Sequence, residues 1–408
     1  NKSLVIKPAD KNLGAAVMSL SWYTQQARLH LRDESTYTQI TDWEPLSVKV
    51  QRHSSVLLAK VDLLKSQLVR ANHPFSTTLI WISKYLHHKL DGAHMQVVPY
   101  FYIIPKVHKS PVSSRPIAAG HSWWTQPVSL VIAHFLQQTL PSKPTVLKDS
   151  RSLIRRLENT AFNPQDQLTL ITADVSALYP SLNVSTVIWR TMSAVQRFYK
   201  DHWPPQMFPL FVQFLRFVLH NNFVQFDQDI FHQIFGLAMG TPAAPDLANI
   251  TLAEIETQLL SNQPQVLLFV RYIDDIFGVY KGSETEAKDA ILPMYNSLNL
   301  TLTVTTSCST VDMLDLVIFK GPRFSTQGYL DIRTHQKSTN KYLYLPARSA
   351  HPLHSQKGFI RAELQRYVVT CSSPTDYILL TNLFFKRLRS RGYPPKFLGG
   401  LFSSVRYS

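Results

Sequence analysis

Two adjacent carboxylates, Asp274 and Asp275, stand in the apolar stretch FVRYIDDIF, and a third, Asp174, ends the apolar run LTLITAD. Neighbouring carboxylates at a hairpin turn repel each other and are costly there unless a cation is present. Oxygen ligands suit Mg²⁺, which usually takes a few carboxylates together with substrate phosphates. If the two strands are neighbours, the three carboxylates converge. Two magnesium ions held there could activate a primer 3′-hydroxyl and stabilise a leaving pyrophosphate. Taken singly, the same residues fit a plainer description, with Asp-Asp a turn dipeptide and Asp174 a helix cap.

The elements that must position these groups are legible around them. LTLITADVS (168–176) is apolar and β-branched, the pattern of a buried strand ending at a carboxylate. VLLFVRYIDDIFGVY (266–280) has two β-rich arms flanking the acidic pair, a hairpin pattern. The opening VIKPADKNLGAAVM reads as strand, turn and strand, and a helical stretch follows from about Ser47 to Leu90. QVVPYFYIIPKVHKSPVSSRPIAA reads as extended structure around a basic loop, because prolines at 99, 105, 111 and 116 exclude a helix. Trp124 to Gln138 and PLFVQFLRFVLH read as helices, NNFVQFDQDIFHQIFG as a hairpin, and TPAAPDLANITLAEIETQLL as prolines opening a helix. A polar helix near 284–297 precedes strands in NLTLTVTTS and VDMLDLVIFKG, and the chain past 350 is helical and basic. The sum is α+β, an antiparallel sheet core with helices before and after it.

Composition narrows the partner. The 408 residues are 45% hydrophobic and 17% charged, enough to bury a large core and unlike a disordered chain. Lys plus Arg number 42 against 27 acids, a net +15 that calls for a polyanion, either nucleic acid or an anionic membrane surface. No apolar run reaches the roughly 18 residues of a membrane span. Cys308 and Cys371 exclude a disulfide scaffold and a four-cysteine zinc site, and fit a reducing compartment. The chain begins at Asn1 without a signal peptide, as expected of a processed product or part of something longer. From Gly321 to Ser408 there are 14 Lys or Arg against three acids, so this segment carries most of the charge. Tyr329, Tyr342, Tyr344, Phe359, Tyr367, Phe384, Phe385 and Tyr393 are interleaved there, to stack on bases or to pack a core.

In order, the chain carries Lys106, Arg115-Pro116-Ile117, Asp174-Val-Ser-Ala-Leu-Tyr179, Gly236-Leu-Ala-Met-Gly240-Thr-Pro and Arg271-Tyr-Ile-Asp274-Asp275. This order and spacing resemble the fingers and palm of reverse transcriptases, most closely those of Penelope-like retroelements, relatives of telomerase catalytic subunits. ADKNLG, YIIPKVHK, LDLVIF, THQKSTNKYLYL, SAHPLHSQKGF and RGYPP support the likeness, which covers essentially the whole chain. It implies a right-hand polymerase: an N-terminal extension at 1–95, fingers at 96–167, a palm with finger-associated helices at 168–320 and a basic helical thumb at 321–408.

The resemblance also implies roles. Asp174 and Asp274 would be the main ligands of two Mg²⁺, with Mn²⁺ as a substitute, Asp275 third, and the Val175 carbonyl an extra ligand. Lys106 and Arg115, with Lys109 a weaker candidate, would contact the incoming triphosphate, where cations neutralise developing charge. Tyr179 would set its ring under the sugar, clash with a 2′-hydroxyl and select dNTPs. The glycines of GLAMGTP, with Gly240 and Thr241, would let backbone approach nucleotide and template. Arg348, Lys357, Arg361, Lys386, Arg387 and Arg389 would track the RNA template and DNA primer.

Departures and rivals stand beside this. Thr241-Pro242-Ala243-Ala244 replaces the Gly-Ser-Pro common in relatives, and Met313-Leu314-Asp315 a Phe-Leu-Asp. No endonuclease pattern is attached, so a separate nuclease or host partner is expected. The alternatives are a catalytically silent RNA-binding or assembly protein, an RNA-templated RNA polymerase or terminal transferase, and a telomerase-like host function. Tyr179 argues against ribonucleotide use. His351 and His354 read as surface or fold histidines, Trp123-Trp124 as packing, and Lys386–Arg391 as thumb rather than a localisation signal. No membrane partner is expected; the compartment is intracellular, the nucleus or else an organelle.

Overall fold

The computed structural model describes residues 3–90, 97–337 and 340–407. Residues 91–96, which span the expected extension–fingers boundary, and Ser338-Thr339 of THQKSTN lie outside them. In chain order the elements are β1 (Leu4–Pro8), β2 (Ala15–Ser19), α1 (Leu20–Leu31), β3 (Tyr37–Ile40), α2 (Trp43–Arg70), α3 (Ser76–Leu90), β4 (Tyr100–Lys106) and β5 (Ser113–Ala119). Next come α4 (Thr125–Thr139), α5 (Ser150–Glu158), β6 (Leu168–Val175), α6 (Leu178–Ser181), α7 (Val184–Tyr199), α8 (Met207–His220), β7 (Phe223–Phe226), β8 (Asp229–Gln233) and α9 (Ala244–Leu260). The chain continues through β9 (Val266–Tyr272), β10 (Asp275–Lys281), α10 (Glu284–Ile291), β11 (Leu302–Ser307), β12 (Thr310–Met313), β13 (Leu316–Phe319), α11 (Pro322–Gln327) and β14 (Asp331–Thr334). It closes with α12 (Leu353–Thr370), α13 (Pro374–Ser390) and α14 (Pro395–Phe402).

Two expectations are refined. The helical stretch 47–90 is two helices, because Asn72 turns left-handed (φ 49) just before Pro74 and the chain restarts at Ser76. VDMLDLVIFKG is a hairpin, with Met313 paired to Leu316 across a two-residue loop.

The elements divide into two compact units, each assembled from separate stretches of chain: 1–146, 175–262 and 294–301 in the first, 147–174, 263–293 and 302–408 in the second. In the first, a five-stranded sheet runs β3-β8-β7-β4-β5 beside the β1-β2 ribbon. Tyr23, Ala27 and Leu31 of α1 pack on Phe101, Ile103, Val224, Phe226 and Phe231 of the sheet. Where helices α4, α7 and α8 meet, Trp203 lies 4.9 Å from Phe135 and 4.3 Å from Tyr199, centroid to centroid. Trp123 is buried, its indole donating to the Asn221 carbonyl at 2.7 Å, so this half of the Trp123-Trp124 pair is packing as expected.

In the second unit a four-stranded sheet runs β11-β6-β10-β9 and a three-stranded one β12-β13-β14. Leu168, Leu170, Val270, Phe277 and Val279 share a core with Leu153, Val311, Leu316, Ile318 and Ile332. Ser283 and Glu286 start α10 with a reciprocal capping box. The three C-terminal helices close on Ile360, Leu364, Tyr367, Phe384, Leu388, Tyr393 and Leu398, with Tyr344, Phe359 and Phe385 against them. Most of the aromatics interleaved with the basic residues are therefore core. Tyr342 is a different case, lying under the Arg387 guanidinium at 3.4 Å.

Candidate active site

Strand β6 is buried along almost its whole length, and Asp174 is the exposed residue near its end. It pairs antiparallel with β10, and the register sets Asp174 opposite Asp275. Directly opposed residues in such a ladder hold their Cβ atoms about 5 Å apart, and like charges there destabilise it. β10 also pairs with β9, Asp275 facing Tyr272, so Ile273 and Asp274 form a two-residue loop. Three carboxylates thus gather at one sheet end. The chemical fit to magnesium lies in the donor set, which is all carboxylate oxygen. Among the described residues no group of three or more His, Cys, Asp or Glu stands ready-spaced for a metal.

Ile273 adopts φ 57, a left-handed conformation that a β-branched residue enters only at a cost of about 1–3 kcal/mol. Arg271 holds it there. Its side chain is fully buried and its guanidinium donates to the Ile273 carbonyl at 2.9 Å, while its own carbonyl accepts from Leu147 N at 2.8 Å. In the sequence, the signal for this role is a lone cation, Arg271, inside an apolar strand just before an acidic turn.

The nucleotide candidates belong to the first unit. Register pairs Ile104 with Arg115 and Lys106 with Ser113, so Lys106 and Arg115 share one face of the β4–β5 hairpin as diagonal neighbours. Arg115 reaches Asp10 at 3.5 Å. Tyr179 is half-buried on α6, entered through Ala177 at φ 49, and its carbonyl accepts from Leu237 N at 2.7 Å. The glycine loop is threaded between chain segments. A Cβ on Gly236 would lie 2.5 Å from the Pro180 carbonyl, and one on Gly240 (φ 125) 2.0 Å from that of Ala118. Ala118 N donates to Met239 O at 2.9 Å, and Ala243 N to Ser129 Oγ at 3.0 Å. The close approach these glycines permit is to the protein's own backbone, which locks the loop carrying Thr241 to the strand carrying Arg115. Asp246, on the first turn of α9, is buried, and that burial raises its carboxyl to about 6.

In the C-terminal segment Arg348, Arg361 and Lys386 are exposed, Lys357 is half-buried, and none has an acidic partner among the described residues. Two expected nucleic-acid cations are engaged internally. Arg387 donates to Gln336 Oε1 at 2.7 Å and stacks on Tyr342, and Arg389 donates to the Tyr393 carbonyl at 2.7 Å. His351 is exposed and bonded to Ser349, in line with a surface role.

The structure can be set beside known proteins at this point. Telomerase from Candida albicans, in complex with a TWJ fragment of telomeric RNA, matches with a TM-score of 0.60 at 10% identity, over 98% of this chain and 62% of that one. Apo telomerase from Candida tropicalis matches with a TM-score of 0.53 at 10% identity, over 91% and 61%. The chain has a telomerase-type polymerase fold. This chain spans 62% and 61% of those two telomerase chains. No curated protein sequence matches it. A profile described as an animal helix-turn-helix domain matches residues 343–399, which include α12, the break at Cys371–Ser373 and α13. The expectation for that segment is a basic helical thumb; the Cys-Ser-Ser-Pro break between two long helical runs is the sequence signal for two separate helices there. No helix among the described residues is long and apolar enough to cross a membrane.

Proposed function

We propose that the chain is the RNA-directed DNA polymerase of a Penelope-like retroelement, extending a primer 3′-end on an RNA template with dNTPs. The observation that supports this best is the register setting Asp174 against Asp275 beside the Asp274 turn, a repulsive arrangement with little use except to hold cations. In this reading Asp174, Asp274 and Asp275 hold two Mg²⁺, which when bound activate the 3′-hydroxyl and neutralise the leaving pyrophosphate. Lys106 and Arg115 orient the triphosphate from one hairpin face, and a pre-positioned cation needs no reorganisation as charge develops. Tyr179 stands under the sugar and excludes a 2′-hydroxyl, its backbone fixed by Leu237. Arg348, Lys357, Arg361 and Lys386 hold the hybrid through its phosphates, so affinity falls steeply with salt and the duplex is read by shape. A separate endonuclease or host partner supplies the nick, in the nucleus or an organelle.

The test is primer extension on an RNA template with Mg²⁺, dNTPs against rNTPs. Asp274→Asn should abolish synthesis with hybrid binding intact, and Tyr179→Ala should raise ribonucleotide incorporation. Absent synthesis in the unaltered chain, with salt-sensitive RNA binding retained, would replace this reading with the silent assembly protein.

A further inference from the structure

The turn between β1 and β2 brings another cation to Lys106 and Arg115. Asp10–Asn12 form a single 3-10 turn that packs on β4, closed by Ala9 N donating to Gly14 O at 2.8 Å. Lys11 sits in this turn at φ 62, left-handed, and Gly14 ends it at φ 90. A non-glycine residue so placed costs about 1–2 kcal/mol and fixes the direction in which its side chain leaves the backbone. Asp10, from the same turn and only 12% exposed at its side chain, is the partner of Arg115.

Arg115, Lys109 and Lys11 therefore all lie within electrostatic reach of Lys106, with the Asp10 carboxylate beside them. The Lys106 ammonium is pushed down first by burial and then by Arg115, with Lys109 and Lys11 adding and Asp10 opposing. His108 in the same group is lowered by burial and then by Lys11, so it is neutral at pH 7, and its buried Nδ1 has no hydrogen-bond partner. Cations brought to Lys106 from three backbone segments raise the cost of its charge, and a multiply charged anion would relieve that repulsion.

We propose that the Asp10-Lys11 turn is part of the nucleotide site, with Lys11 a third cation for the polyphosphate of the incoming nucleotide beside Lys106 and Arg115. This rests on the triphosphate reading of those two residues. The turn is a hundred residues upstream in sequence, so the site closes only when the amino-terminal ribbon is seated.

The test is calorimetric binding of inorganic tripolyphosphate to the full chain in EDTA, which isolates the protein's cations from metal. Lys11→Gln should raise Kd about fourfold, the worth of one unit charge near 5 Å in a water-like dielectric. Lys11→Arg, with the same backbone and charge, should stay within about twofold of the unaltered chain. Lys106→Gln is the reference. Weakening by Lys106→Gln without weakening by Lys11→Gln overturns this inference and leaves the triphosphate reading standing; no effect from either removes that reading and the inference with it. Should Lys11→Gln fail to fold, Asp10→Asn decides: removing the carboxylate should tighten tripolyphosphate, and unchanged or weaker binding overturns the turn's role.

Discussion

Asp246 allows a test of how the start of α9 is built, independent of any catalytic assay. It is 8% exposed and accepts a long hydrogen bond, 3.4 Å, from Gln137 Nε2. Burial raises its carboxyl from 3.8 to about 6, against the opposing effect of Gln137. A raised folded pKa means that the native state binds the proton more tightly than the unfolded chain does. The stabilisation is then complete below about pH 4 and is lost as pH rises through about 6. The interval from 3.8 to about 6 is worth about 3 kcal/mol at 1.36 kcal/mol per unit. Asp246→Asn keeps the shape and removes the titration, so its stability advantage should grow by most of that amount between pH 4 and pH 8. All seven tryptophans, Trp22, Trp43, Trp81, Trp123, Trp124, Trp189 and Trp203, belong to the unit that contains Asp246. Tryptophan fluorescence through a urea series therefore reports that unit's unfolding. A stability difference that stays flat with pH would refute burial of a charge as the governing effect.

Other perturbations read other parts of the molecule. Asp174→Asn removes one of two like charges facing across a ladder, so in EDTA it should slow exchange of the β10 amides, by about 0.2–1 kcal/mol, while abolishing synthesis; faster exchange would mean that Asp174 stabilises the sheet. Gly240→Ala sets a Cβ 2.0 Å from the Ala118 carbonyl at φ 125, and should cost at least about 2 kcal/mol in the same urea series. A neutral result would show that the loop is free to shift. Replacing Arg348, Arg361 and Lys386 with Gln should flatten the salt dependence of hybrid binding by up to about 0.9 per cation. Replacing Arg387 and Arg389 should instead lower the melting temperature, and an equal flattening from both sets would contradict the internal contacts of the second.

The hairpins and β6 were legible because β-branched residues run up to a charged break, a local pattern in the chain. The pairing of Asp174 with Asp275 rather than Asp274 was not, because register is set by where β6 and β10 meet, a hundred residues apart. The glycines of GLAMGTP announced a close approach, but its partners, Pro180 and Ala118, are fixed only by the fold. Likewise the choice between stacking and packing for Tyr344, Phe359, Tyr367 and Phe384 turned on tertiary closure of α12 and α13. Composition marks those residues as aromatic among cations and is silent on which way the rings point. Asn72 and Pro74 could have been read as the break between α2 and α3; the apolar periodicity continuing on either side masked it.

The discontinuous build of the second unit also sets a schedule for synthesis. β6 emerges early, yet its ladder partners are β10 and β11, which begin at Asp275 and Leu302. At roughly 5–20 residues per second, the ribosome leaves β6 unpaired for about 5–20 s. LTLITADV is a short β-prone apolar window of the kind that associates with other chains when exposed. Its one charge is Asp174. The carboxylate proposed to hold metal in the folded protein is, during those seconds, what discourages the strand from pairing with a nascent neighbour.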